Sequence, residues 1–119
     1  MRKVRKYEVF QKAHNLTLKV YKLTSGFPED ERYGLALQMR RSAYSIPMNI
    51  AEGGARDSEK EFAQFINIAI GSCEEIRYQL LLSKDLGYIE ESTYKEMEKE
   101  YESIKRMLAG LYKSMRDRL

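Results

Sequence analysis

YKEMEKEYESIKRMLAGLYKSM, residues 94–115, decides the fold class. Tyr94, Met97, Tyr101, Ile104, Leu108, Leu111 and Met115 recur at alternating steps of three and four, an unbroken heptad seam. The positions between them are mostly Glu, Lys and Arg, including the neighbours Glu98–Lys99 and Glu102–Arg106, which can pair along a helix. A helix of this kind must bury its seam against other helices, so the rest of the chain is read for partners.

The stretch before it supplies one. Phe62, Ile66, Ala69, Cys73, Ile76 and Leu80 trace a second stripe, widened by Phe65, Ile70 and Leu81. Ser58 followed by Glu61 is a capping box, Asp57 adds negative charge at the same end, and Gly87 suits the left-handed residue that closes a helix. Gly71-Ser72 in mid-helix costs about 1 kcal/mol of propensity for the glycine, and close approach of a neighbouring backbone would compensate. Further upstream a helix begins near Glu29 to Arg32, with Leu35, Met39, Ser42, Ile46 and Asn49 on one face beside Ala36, Ala43 and Ile50. Pro47 lies inside it and should bend it without ending it, and Gly53-Gly54 reads as the stop. At the amino end, Phe10, Ala13, Thr17, Val20, Thr24 and Phe27, flanked by Val9, Leu16 and Leu23, give the fourth stripe, closed by Ser25-Gly26 and Phe27-Pro28.

Short connections between long helices force antiparallel neighbours. The expectation is an all-α, antiparallel up-down-up-down four-helix bundle forming a single domain over 1–119, with a basic amino-terminal arm over about 1–7. At 43% hydrophobic and 33% charged, the composition suits amphipathic helices and lies far from disorder. No run approaches the roughly 18 apolar residues of a membrane span, and no signal peptide is visible, so the chain reads as cytoplasmic. Cys73 is the single cysteine, which excludes an internal disulfide and suits a small buried apolar residue.

The net charge of +3 is unevenly spread. Residues 1–28 carry seven Lys or Arg against one Glu, while 29–60 and 61–119 are slightly acidic. Arg2, Lys3, Arg5, Lys6, Lys12, Lys19 and Lys22 are therefore the candidates for contact with phosphate or an acidic partner, the alternative being a solvated tail and helix face.

Nothing in the chain reads as catalytic. His14 is the only histidine, one step from the core stripe, and a boundary residue touching a neighbouring helix describes it better than a general base. A hydrolase or metal-dependent enzyme using His14 with Glu52 is the weakest alternative, because there is no His-x-x-x-His, Glu-x-x-His or cysteine pair. No cofactor or metal site is expected.

The unusual segment is QMRRSAYSIPMNIAEGGAR, residues 38–56. It joins Arg40 and Arg41 to Asn49, Glu52 and Arg56, and on a helix Arg41, Ser45, Met48, Glu52 and Arg56 share one stripe. Buried polar groups need partners. Either Glu52 pairs with Arg56 while Asn49 bonds to backbone near Pro47, or the stripe packs against another subunit or a ligand. Tyr33, Tyr44, Tyr78, Tyr88 and Tyr112 at the rims of the stripes are compatible with an interface as well as with internal packing.

Residues 27–76, FPEDERYGLALQMRRSAYSIPMNIAEGGARDSEKEFAQFINIAIGSCEEI, carry a family pattern. The telling elements are Phe27-Pro28, Glu31 with Tyr33-Gly34-Leu35, Gln38 with Arg40-Arg41, Ser45-Ile46-Pro47, Asn49 through Gly53, Arg56, Glu61-Phe62, Ala69, Gly71-Ser72 and Glu75, with Phe10 through Ala13 upstream. The sequence strongly resembles the 23S rRNA-intervening sequence proteins over roughly residues 7–112. The resemblance implies a small bacterial four-helix bundle that assembles as a ring-shaped homopentamer, with no attached enzymatic activity. It also implies similarity in fold to the accessory protein of diversity-generating retroelements, a pentameric bundle that binds a reverse transcriptase and nucleic acid. The expected function is thus a non-catalytic homo-oligomeric scaffold whose basic face contacts RNA or a ribonucleoprotein. The alternative is a protein-interaction adaptor without a nucleic-acid role, recruiting through the rim tyrosines and an acidic face of Glu90, Glu91, Glu96, Glu98, Glu100 and Glu102.

Overall fold

In the computed structural model, which describes residues 2–119, the four stripes become four helices: α1 (Glu8–Thr24), α2 (Leu35–Gly54), α3 (Glu59–Asp85) and α4 (Glu91–Arg116). Two short 3-10 turns, Val4–Lys6 and Glu29–Glu31, precede α1 and α2. Among the described residues there is no strand. The molecule measures 46 × 23 × 20 Å. The long dimension follows from α3, whose 27 residues span about 40 Å at 1.5 Å each.

Each helix packs against two others: α3 lies on α2 and α4, and α1 lies on α2 and α4. Cross-helix pairs record how they run. Met39 of α2 meets Ser83 of α3, and Ser45 meets Ser72, so partner numbers fall as helix numbers rise. Arg77 reaches Glu98, and Glu74 reaches Lys105, in the same sense between α3 and α4. Between α1 and α2, Thr17 meets the backbone of Ala43 and Thr24 meets Arg40.

The core matches the stripes closely. Met39, Ala43, Ile46, Ile50, Ile66, Ala69, Cys73, Ile76, Leu80, Tyr101, Ile104 and Leu108 are fully enclosed. Burying an aliphatic side chain of this size is worth about 1.5–3 kcal/mol, which is what makes these amphipathic helices stable together when none would be alone. Burial pushes the Cys73 thiol, fully enclosed in the core, up to about 12. The Tyr101 hydroxyl is enclosed without a hydrogen-bond partner, and burial likewise raises its pKa.

The helix ends show how local sequence sets the frame. Ser58 Oγ accepts from the Glu61 amide at 3.1 Å, so the serine half of the capping box forms, and Gly87 adopts φ +80° at the end of α3. The start of α2 is displaced from the expected position. Glu29–Glu31 forms a separate turn, and α2 begins only at Leu35, whose amide donates to Glu31 Oε1 at 3.1 Å. The other Glu31 oxygen accepts from the Tyr88 hydroxyl at 2.9 Å. One carboxylate therefore caps α2 and ties it to the turn between α3 and α4.

Of two glycine expectations, the stop at Gly53-Gly54 holds, since α2 ends at Gly54, and the one at Gly71 does not. A Cβ on Gly53 would lie 2.6 Å from Phe65 Cβ, and one on Gly54 would lie 2.5 Å from Val4 Cγ1. This pair lets α3 and the amino-terminal arm close onto α2, besides marking its end. Gly71, expected at a close helix approach, faces open space instead, since a Cβ there would meet nothing within 4 Å. Ser72 beside it makes the cross-helix contact with Ser45 at 2.9 Å, so the polar residue and not the glycine faces inward.

Candidate functional site

The basic residues of the first 22 positions divide into engaged and unengaged groups. Arg2 is folded into the corner between α2 and α3. Its guanidinium donates to Glu59 at 3.1 Å and to the backbone oxygens of Arg56 and Gly54 at 2.5 and 3.4 Å, and it lies 4.6 Å from the centre of the Phe62 ring. That hydrogen bond, aided by the nearby Arg118 charge, holds the Glu59 carboxyl below the usual carboxylate range. Lys12 pairs with Glu8 at 3.2 Å and Lys19 with Glu100 at 3.4 Å, both on the surface. Among the described residues, Lys3, Arg5, Lys6 and Lys22 are exposed and make no ion pair.

The residues of the polar stripe on α2 do not act as one unit. Arg40 closes the end of α1, with Nε donating to Thr24 Oγ1 at 2.8 Å, Nη2 donating to the Tyr21 carbonyl at 3.2 Å, and the guanidinium over the Tyr21 ring. A cation at a helix C-terminus meets carbonyls that lack partners and the negative end of the dipole. Asn49 Nδ2 donates to the Ser45 carbonyl at 2.7 Å and to Ser45 Oγ at 2.9 Å, which is the backbone bond near Pro47 that the sequence suggested.

Glu52 and Arg56 do not pair. Arg56 lies beyond the last residue of α2, outside the helical spacing that would bring the two together, and its guanidinium sits 4.9 Å from the centre of the Phe65 ring. Arg41 and Glu52 are left exposed with no ion-pair partner among the described residues.

Two concavities adjoin at this end of the molecule. An open depression of about 930 Å³ is lined by Lys3, Arg5, Lys6 and Arg56, with the engaged Arg2 and Glu59 on its wall. A shallower groove of about 460 Å³ between α1 and α2 is lined by Arg5, Phe10, His14, Tyr44, Met48 and Ala51. The Phe10 and His14 rings are nearly parallel there, 9° apart in plane with centroids 6.5 Å apart. His14 is thus an exposed member of an aromatic groove. Among the described residues, no three His, Cys, Asp or Glu side chains gather in a way that could hold a metal ion. No helix is long and apolar enough to cross a membrane.

A model of the 23S rRNA-intervening sequence protein family matches residues 5–110, nearly the whole bundle. The chain belongs to this family. Its fold is similar to the crystal structure of a protein of unknown function from the S23 ribosomal protein family of Bacteroides thetaiotaomicron, with a TM-score of 0.82 and 25% identity over 88% of this chain and 95% of that one. No curated protein matches the sequence. The geometry explains several residues of the unusual segment 38–56. Arg40 closes α1, Asn49 ties Ser45, and Gly53 and Gly54 admit Phe62, Phe65 and Val4.

Sequence reasoning missed Glu31 as the cap of α2, Tyr88 as its second partner, and the cluster of Arg77 with Glu98 and Glu74 between α3 and α4. Glu98 also belonged to the acidic face of the adaptor reading. That face is largely neutralised, because Glu98, Glu100, Glu102 and Glu91 pair with Arg77, Lys19, Arg106 and Lys95.

Proposed function

We propose that the chain is a non-catalytic, cytoplasmic, homo-oligomeric scaffold, built from antiparallel up-down-up-down bundles in a pentamer, whose basic face contacts RNA or a ribonucleoprotein. The falling partner numbers across α1–α2, α2–α3 and α3–α4 support the antiparallel topology.

One observation carries the assembly reading. Ile68, Gly71 and Tyr78 share the outward face of α3, with Ile68 and Tyr78 at 52% and 62% exposure and nothing near the glycine. A mid-helix glycine that no neighbour within the chain requires, between two exposed apolar side chains, suits close packing of another copy. The unpaired Arg41 and Glu52 on α2 are further candidates for contacts between copies. Exposed Lys3, Arg5, Lys6 and Lys22 support the nucleic-acid part, since weak phosphate contacts repeated in a ring add through multivalency.

Mass in solution tests the assembly: five chains of 14.0 kDa give about 70 kDa, and Ile68→Glu with Tyr78→Glu should lower that mass while preserving helicity. A wild-type mass of one chain would exclude the scaffold. RNA affinity that is absent at about 50 mM salt, or that does not change with salt, would exclude the electrostatic contact.

A further inference from the structure

The basic depression and the aromatic groove are one continuous surface. Arg5 and Ala51 line both, so the cations of the amino-terminal arm lead directly into the rings between α1 and α2. The depression supplies Lys3, Arg5, Lys6 and Arg56, none of them in an ion pair among the described residues. Of the two carboxylates on its wall, Glu59 is already held by Arg2 and Arg118 and Asp57 is in no ion pair among the described residues, which leaves four unpaired cations against one unpaired carboxylate. The groove supplies Phe10 and His14 with parallel rings, and Tyr44 on the facing helix at 37% exposure.

Cations that follow a backbone, next to aromatic faces on which bases stack, are the two parts of a surface for single-stranded nucleic acid. A duplex keeps its bases stacked on one another and has no use for the rings. We infer that a single-stranded polynucleotide binds across this surface, with phosphates on Lys3, Arg5, Lys6 and Arg56 and bases against Phe10, His14 and Tyr44. This rests on the RNA-contact reading above and narrows it to one strand and one site. Lys12 and Lys19, paired with carboxylates, lie outside it.

The test is fluorescence anisotropy with a labelled 12-nucleotide oligouridylate, the same length as a duplex, and inorganic polyphosphate as a competitor without bases. The single strand should bind more tightly than the duplex. The triple variant Lys3→Glu, Arg5→Glu, Lys6→Glu should lose at least tenfold in affinity, with the slope of log affinity against log salt falling by about 2, since each single-strand phosphate contact contributes about 0.7. Tyr44→Ala with His14→Ala should lose about tenfold with the salt slope unchanged. Lys99→Glu, a charge change of the same kind on α4, should have little effect. Circular dichroism and mass in solution accompany each variant. Equal affinity for duplex and single strand, or binding unaltered by either variant, overturns the site while leaving RNA contact standing. A fall in oligomer mass caused by Tyr44→Ala with His14→Ala shows the groove to be an interface between copies and likewise overturns it. Absence of any polynucleotide binding by the wild type removes the RNA reading itself.

Discussion

Thr17 on α1 compensates for a backbone donor that α2 lacks. Pro47 has no N–H, so the Ala43 carbonyl one turn earlier has no intrahelical partner at that spacing. The Thr17 hydroxyl lies 3.2 Å from that oxygen and 2.8 Å from the Ala13 carbonyl, and its single proton can serve either. A side chain on one helix thus covers a defect in the next, at a buried level where an orphan carbonyl would be costly.

Thr17→Val keeps the shape of the side chain and removes the hydroxyl. We expect it to destabilise the fold by about 1–2 kcal/mol, the cost of leaving a buried acceptor unmet. In a Pro47→Ala background the backbone donor returns, and the same substitution should cost about 1 kcal/mol less. Urea denaturation of the four proteins of this cycle measures the coupling; strictly additive costs would sever the link between the two positions.

Gly53→Ala and Gly71→Ala should shift stability in opposite directions. The Cβ at 53 would sit 2.6 Å from Phe65 Cβ and 2.9 Å from Phe62, so the helices must move apart, and a loss of about 1–3 kcal/mol is expected. In the Ile68→Glu, Tyr78→Glu background, where no copy packs on α3, the methyl at 71 meets nothing within the chain and brings a gain in helix propensity of about 1 kcal/mol. Thermal unfolding at matched protein concentration distinguishes them.

Tyr101→Phe removes a hydroxyl enclosed without a partner. Losing an unsatisfied polar group from a core should leave stability unchanged or raise it by up to about 1 kcal/mol. A loss greater than about 1 kcal/mol in chemical denaturation would show that the hydroxyl has a partner in solution.

Cys73 should make the fold sensitive to alkali. Its thiol has an ordinary value of 9.0 and is raised to about 12 by burial, so between those pH values the unfolded chain releases a proton that the folded one keeps. Stability from this group is fully present below pH 9.0 and is lost as pH rises towards 12, at up to about 1.4 kcal/mol per unit. Stability at pH 8 minus that at pH 10 should therefore shrink by about 1 kcal/mol in Cys73→Ala, whatever that variant costs at neutral pH. An identical difference in both proteins would count against the thiol.

The four helices and most of the core were legible because apolar periodicity and burial are the same fact stated twice: Met97, Tyr101, Ile104, Leu108 and Met115 are enclosed because they form the apolar stripe of an otherwise mostly charged α4. The capping box at Ser58 and the turn at Gly87 were legible for a similarly local reason. What was not legible depends on residues distant in sequence. Glu31 caps α2 only because the chain turns back at Gly34, and Tyr88 reaches it only once α3 has folded alongside. The Glu52–Arg56 pair failed for a boundary reason, since helical spacing means nothing beyond Gly54. Pro47 did carry a readable signal, a missing donor that some other group had to supply. Thr17 could have been sought on that ground.

The Glu31 carboxylate also bears on how copies can meet. If α4 were to leave its own bundle and lodge in a neighbour's, the turn at Gly87–Tyr88 would have to straighten into a hinge. Tyr88 would then let go of the same carboxylate that holds the start of α2. Exchange of α4 would cost contacts at two ends of the chain at once, so domain swapping is disfavoured relative to packing of intact bundles.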